Sequence, residues 1–126
     1  MNLRVPGLPP IRANARRLEQ VFINLIGNAI KYTPEGGQID VSLSEDHDFV
    51  VLQVRDTGIG IPPKDQPHIF DKFYRVESDE TVSIAGTGLG LSIVKTIIEK
   101  HKGRVWVESE VGQGSAFTVL LPKYAA

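Results

Sequence analysis

Three clusters of residues in this chain have types and spacings suited to chemistry as well as to packing. Gly86-Thr87-Gly88-Leu89-Gly90-Leu91 sets alternate glycines directly before a helical pattern. Free backbone amides at a helix N-terminus, with no side chains in the way, make a phosphate cradle. The spacing is neither the dinucleotide fingerprint nor the P-loop. Asp56-Thr57-Gly58-Ile59-Gly60-Ile61 follows a strand pattern. A buried aspartate there can accept a hydrogen bond from an amino group such as that of adenine, while glycines let a ligand approach the backbone. Asn24, Asn28 and Lys31 share one helical stripe at about 100° per residue. They offer amide oxygens to a hard cation and an ammonium to phosphate. Each cluster also has a plainer reading: a flexible helix entry, a turn in which Asp56 bonds nearby amides, and a solvated helix flank.

Other candidates carry less. His47, His68 and His101 are scattered, against the grouping a metal centre needs. Ser92 and Ser115 lack an evident paired base, and Gly-x-Ser-x-Gly does not occur. Lone Trp106 on a terminal strand reads as core. Arg12, Arg16 and Arg17 read as a solvated helix start.

The elements that must position these clusters follow from periodicity. Asn14 is a candidate N-cap, and Leu18, Val21, Phe22, Leu25, Ile26 and Ala29 recur as in an amphipathic helix. That helix should end near Tyr32, before Thr33-Pro34-Glu35-Gly36-Gly37. Ile39, Val41 and Leu43 alternate as in a half-buried strand, and Phe49 to Arg55 is its hairpin partner. A short helix is expected within residues 64–73 and a mobile loop over 77–84. A second long helix should run to about His101, with Gly103 just past its end. Residues 104–109 and 115–121 form a last hairpin. The expected fold is α+β: a two-layer sandwich whose mostly antiparallel sheet carries helices on one face.

Composition bounds the rest. The chain has 126 residues, enough for one domain, with 41% hydrophobic and 23% charged residues. No apolar run approaches a membrane span, and no signal-peptide core is present. The absence of cysteine excludes a disulfide scaffold or a cysteine zinc site and fits a cytoplasmic location. A net charge of −1 provides no field for nucleic acid or anionic lipid.

Together, the ordered segments resemble the ATP-binding catalytic domain of bacterial two-component sensor histidine kinases, whose superfamily includes gyrase, mismatch-repair and heat-shock chaperone ATPases. Asn24-Leu25-Ile26-Gly27-Asn28-Ala29-Ile30-Lys31-Tyr32-Thr33 resembles the family's N box, and Asp56 to Gly60 its first glycine box. Phe70-Asp71-Lys72-Phe73-Tyr74-Arg75 resembles the phenylalanine box, and Gly86 to Leu91 the second glycine box. The similarity runs from about Pro10 to Pro122. It implies a Bergerat-type ATP-binding fold, a mixed and mainly antiparallel sheet with about three helices on one face. Residues 1–126 would be a single domain, with 75–86 as an ATP lid.

The resemblance also implies residue roles. Asp56 would bind the adenine amino group, with Gly58, Gly60 and Ile61 forming the pocket floor and Tyr32 lying along the ring. Asn28 would coordinate Mg²⁺ on the phosphates of ATP or ADP, with Asn24 as a second polar or water-orienting group. Lys31 and Arg75 would meet phosphate oxygens, and Gly86, Thr87, Gly88, Leu89, Gly90 and Leu91 would line the phosphate end. Thr118 would join a water contact beside adenine. The γ-phosphate would pass to a histidine on a dimerisation and phosphoacceptor hairpin, and from there to a response regulator.

No segment here resembles that hairpin, so the chain reads as a catalytic domain from a longer kinase, with Met1 as a truncation start. Nucleotide binding, little autophosphorylation and a monomer are expected, with no contact to nucleic acid or membrane. The parent would be cytoplasmic or membrane-anchored. Three rivals remain: an anti-sigma-factor-type serine kinase, a non-catalytic nucleotide-dependent docking module, and a gyrase-style ATPase. The last would want a glutamate base where Asn24 stands.

Overall fold

Asn14 opens the first helix as its position predicts. Its backbone is extended (φ −84°, ψ 110°), its side chain accepts the Arg17 N–H at 3.1 Å, and its carbonyl accepts the Leu18 N–H at 3.0 Å. These are the bonds of an N-cap. The helix α1 spans Ala15–Tyr32 and buries Leu18, Val21, Leu25 and Ala29 along one face. It stops at Thr33, which is extended ahead of Pro34 because proline disfavours the helical region for the residue before it.

In this computed structural model the described residues are 14–74 and 90–123, with the backbone of two short strands, β1 (Asn2–Leu3) and β2 (Ile11–Arg12). These strands pair antiparallel with each other. The second helix, α2 (Gly90–Lys100), buries Val94, Ile97 and Ile98. Its end is a Schellman motif: Gly103 N–H bonds the Ile98 carbonyl at 2.9 Å, and Lys102 N–H bonds Glu99 at 3.0 Å. The left-handed residue is Lys102 (φ 62°), with Gly103 one place further on. The two helices are tied at this end. Asn14 N–H donates to His101 Nε2 at 3.1 Å, and His101 Nδ1 bonds the Ile97 carbonyl at 2.8 Å. Those partners assign a neutral ring with its proton on Nδ1.

The helices pack on each other and on one face of a four-stranded sheet, α1 against β4 and α2 against β5 and β6. The strands are β3 (Ile39–Asp46), β4 (Phe49–Asp56), β5 (Arg104–Glu110) and β6 (Gly114–Pro122). Their order is β3-β4-β6-β5, and every pairing is antiparallel. Register fixes which residues share a face. Val107, Phe117 and Val54 form one inward row, and Val105, Val119 and Leu52 the next. Phe117, Val54 and Val119 are fully buried, and burying a side chain of this size contributes about 1.5–3 kcal/mol.

The α+β two-layer class is as expected, with three refinements. The described residues hold two α-helices and, where a short helix was expected, a single 3-10 turn, Gln66–His68. Strand β3 is not half-buried: Val41 is 49% exposed because β3 is the sheet edge and neither helix covers it. Trp106 is not core. It lies in register with Thr118 and Gln53, on the face turned away from the helices, and is 36% exposed.

Candidate functional site

The inward apolar alternation of three strands breaks at the same level. On β4 it ends in Asp56, on β6 it begins at Ser115, and on β5 it ends in Ser109. Register aligns these as one row, Ser109–Ser115–Asp56. Asp56 and Ser115 are buried. A row of polar groups where two rows of Val, Leu and Phe precede it is costly unless hydrogen-bonded.

The bonds are present. Gly58 N–H donates to Asp56 Oδ1 at 2.8 Å, and the Ser115 backbone also donates to the carboxylate. Burial pushes the Asp56 carboxyl above the ordinary aspartate value, and these two amides pull it partly back. A carboxylate has about four acceptor sites, so capacity remains for a donor from a ligand.

The first glycine run is held between the end of α1 and the β5–β6 turn. Ile59 N–H bonds the Tyr32 carbonyl at 3.2 Å, and Gly112 N–H bonds the Ile59 carbonyl at 2.9 Å. A Cβ on Gly58 would collide with the Tyr32 carbonyl oxygen. Gly60 has φ 76°, and a Cβ there would collide with the Glu110 carbonyl. Both positions therefore require glycine. The contacts bring Tyr32, Asp56, Gly58 and Gly60 together.

Ile61 follows this run and is fixed at both its N–H and its carbonyl. Its N–H donates to Ser109 Oγ at 2.8 Å, and its carbonyl accepts Gln66 Nε2 at 2.9 Å. Gln66 Nε2 also donates to the Ser109 carbonyl at 3.1 Å.

Asn24 and Asn28 are half-buried on α1, and Lys31 is exposed in its last turn. Asn24 Oδ1 is 3.5 Å from the place a Cβ on Gly90 would take. The first residue of α2 thus sits against the asparagine stripe, with half-buried Leu91 following it. Arg75, Gly86, Thr87, Gly88, Leu89 and the expected 75–86 lid lie outside the described residues. Of the phenylalanine box, Phe70 meets Phe117 edge to face, with ring centroids 6.1 Å apart. Tyr74 donates its hydroxyl to buried Asp65.

Thr118 requires a correction. It lies on the sheet face opposite Asp56, where Gln53 Nε2 donates to its hydroxyl at 3.3 Å. Positions 115 and 118 of one strand differ in parity and so point to opposite faces. Ser115 is the hydroxyl beside Asp56. Ser109, Ser115 and Gln66 were missed as site residues. The signal available for the two serines was the shared interruption of the inward Val/Leu/Phe alternation.

Among the described residues no group of three His, Cys, Asp or Glu side chains converges to hold a metal. The oxygens offered on the α1 stripe are the neutral amides of Asn24 and Asn28. Such a donor set fits Mg²⁺, which keeps several waters and needs few protein oxygens when it rides on phosphates. No helix among the described residues is long and apolar enough to cross a membrane.

Residues 13–125 match a family described as histidine kinase-, DNA gyrase B-, and HSP90-like ATPase. Sensor histidine kinase RppB of Synechocystis sp. is 46% identical over 112 residues, covering 89% of this chain and 25% of RppB. Sensor histidine kinase WalK of Bacillus subtilis is 44% identical over 108 residues, covering 84% of this chain and 18% of WalK. The chain therefore spans a quarter or less of these relatives. Among solved structures, the mycobacterial sensor histidine kinase MprB superposes with TM-score 0.82 at 31% identity, covering 94% of this chain and 80% of that one. Full-length ShkA in complex with AMPPNP gives TM-score 0.77 at 38% identity, covering 94% of this chain and 24% of that one.

Proposed function

Because the chain belongs to the histidine kinase-, DNA gyrase B- and HSP90-like ATPase family, we propose that it binds ATP with Mg²⁺ and donates the γ-phosphate to a histidine on a separate dimerisation and phosphoacceptor domain, in two-component signal transduction. The observation that carries this reading is the buried Asp56 carboxylate, tied to Gly58 and Ser115 yet with acceptor capacity left, at the start of a glycine run that two close backbone contacts fix in place.

In this reading Asp56 accepts the adenine 6-amino group, Gly58, Gly60 and Ile61 form the floor, and Tyr32 flanks the ring. Asn28 holds the Mg²⁺, which when bound neutralises phosphate charge, and Asn24 orients water or acceptor beside it. Lys31 and Arg75 meet phosphate oxygens, and Gly86 to Leu91 supply amides. Phosphoryl transfer asks a protein chiefly for positioning and charge stabilisation. The bond from the β,γ-bridging oxygen to phosphorus breaks, one to the acceptor imidazole nitrogen forms, and ADP leaves. A response regulator would take the phosphoryl group next, and the isolated domain would be a monomer. The sensor histidine kinases among the relatives favour histidine over serine as acceptor.

Titration calorimetry tests the reading. ADP and a non-hydrolysable ATP analogue, with and without Mg²⁺, should bind one to one, and Asn28→Ala should abolish the affinity gained from Mg²⁺. Absence of binding to folded protein would overturn the reading. A phosphoacceptor hairpin supplied in trans should then acquire acid-labile, base-stable label from ATP.

A further inference from the structure

Ser109 stands in one row with Ser115 and Asp56, and its hydroxyl is fully committed. It accepts the Ile61 N–H at 2.8 Å, donates to the Gly114 carbonyl at 2.9 Å, and contacts Ser115 Oγ at 2.8 Å. A serine hydroxyl has one proton and two acceptor sites. With its proton on Gly114, Ser109 can only accept from Ser115. The Ser115 proton is thereby turned toward Ser109, and the Ser115 oxygen keeps its lone pairs for the Asp56 side of the row. Gln66 completes the clamp, its two amide protons bonded to the Ile61 and Ser109 carbonyls at 2.9 and 3.1 Å.

We propose that Ser109 is a positioning residue for the base: it fixes the Ile61 floor and makes Ser115 an acceptor beside Asp56, so that the pocket selects a purine bearing an exocyclic amino group over one bearing an oxo group. The inference rests on the reading of Asp56 as the adenine contact and adds the origin of its selectivity. Two neighbouring acceptors attract an N–H donor and repel a carbonyl oxygen, and the polarity of the second is set from β5, by a residue that touches no ligand. A buried acceptor facing another acceptor is left unpaired, which is the most effective way for a polar site to reject an analogue.

The test compares ADP with inosine diphosphate, which replaces the 6-amino group by an oxo group, by calorimetry alongside thermal unfolding. The wild-type domain should prefer ADP. In Ser109→Ala the Ser115 proton is released to point at the base. ADP should then weaken about three- to tenfold, the range for one hydrogen bond, and the ADP preference should shrink by a similar factor. Ser109→Thr, which retains the hydroxyl, should restore both. Gln66→Leu should weaken both nucleotides alike and leave the preference intact, because it loosens Ile61 without altering Ser115. If Ser109→Ala does not fold, Ser115→Ala takes its place and must also shrink the preference. An unchanged ADP preference in a Ser109→Ala variant that binds ADP, or in the Ser115→Ala variant that replaces it, overturns the role of Ser109 while sparing the nucleotide site. A wild-type domain that binds neither nucleotide overturns both.

Discussion

Two levels of one sheet face differ in what they contribute to this domain. At one level Val105, Val119 and Leu52 meet across three strands. Four residues further along the same strands stand Ser109, Ser115 and Asp56, about 14 Å away at 3.4 Å per residue. The backbone register is continuous, and only side-chain chemistry changes. The apolar level binds the helices to the sheet. The polar level leaves a carboxylate buried where burial disfavours its charge. Strands that fold by their apolar ends can therefore carry a costly polar row at the other, so substitutions at the two levels should have opposite signatures.

The largest expected effect is at the apolar level. Phe117→Ala removes a fully buried ring and its edge contact with Phe70 and should cost about 3–5 kcal/mol in denaturant unfolding. Nucleotide affinity of the fraction that remains folded should change little. At the polar level, Asp56→Asn should lower ADP affinity at least tenfold, or about 1.5–3 kcal/mol for a charged hydrogen bond.

The same variant should reverse the sign for stability. An aspartate whose folded pKa is raised lends stability that is complete below its unfolded pKa and disappears as pH climbs through the folded value. Wild type thus carries a penalty at neutral pH. The Asp56→Asn variant, with an uncharged amide at every pH, avoids it while the amide oxygen still accepts Gly58 N–H. The unfolding temperature of the variant relative to wild type should rise from acid toward neutral pH and then level. A difference independent of pH would mean that the carboxylate is not strained by burial in the ligand-free domain.

Gly60→Ala falls next in size. It places a Cβ at positive φ against the Glu110 carbonyl and should destabilise by about 1–2 kcal/mol from backbone conformation alone, with ADP affinity falling as well. The smallest effect is expected furthest from the site. Asn14→Ala removes the cap on Arg17 N–H and should cost about 1 kcal/mol, with no change in ADP affinity.

What could be read from the sequence was what is local. Helix α1 was legible because its cap, apolar stripe and stop signal agree within one segment, and Asp56 with its glycines because the run is contiguous. Ser109 and Ser115 were not, since they meet Asp56 only through strand register, and register depends on partners far along the chain. Val41 and Trp106 show a second limit. Alternation says that a strand has two faces but not which face, or which strand, the helices cover. Thr118 was a different kind of miss, because counting from Ser115 along β6 already places it on the wrong side.

The His101 bridge fixes the geometry of the helix pair at one end. It joins the start of α1 to the end of α2, and the other end of α2 sets Gly90 against Asn24. Eleven residues span about 16 Å at 1.5 Å per residue, so a difference of about 10° in the angle between the helices at the bridge would correspond to a displacement of about 3 Å at Gly90. The bonds at His101 therefore bear on the position of the asparagine stripe's neighbour at the far end of the helix.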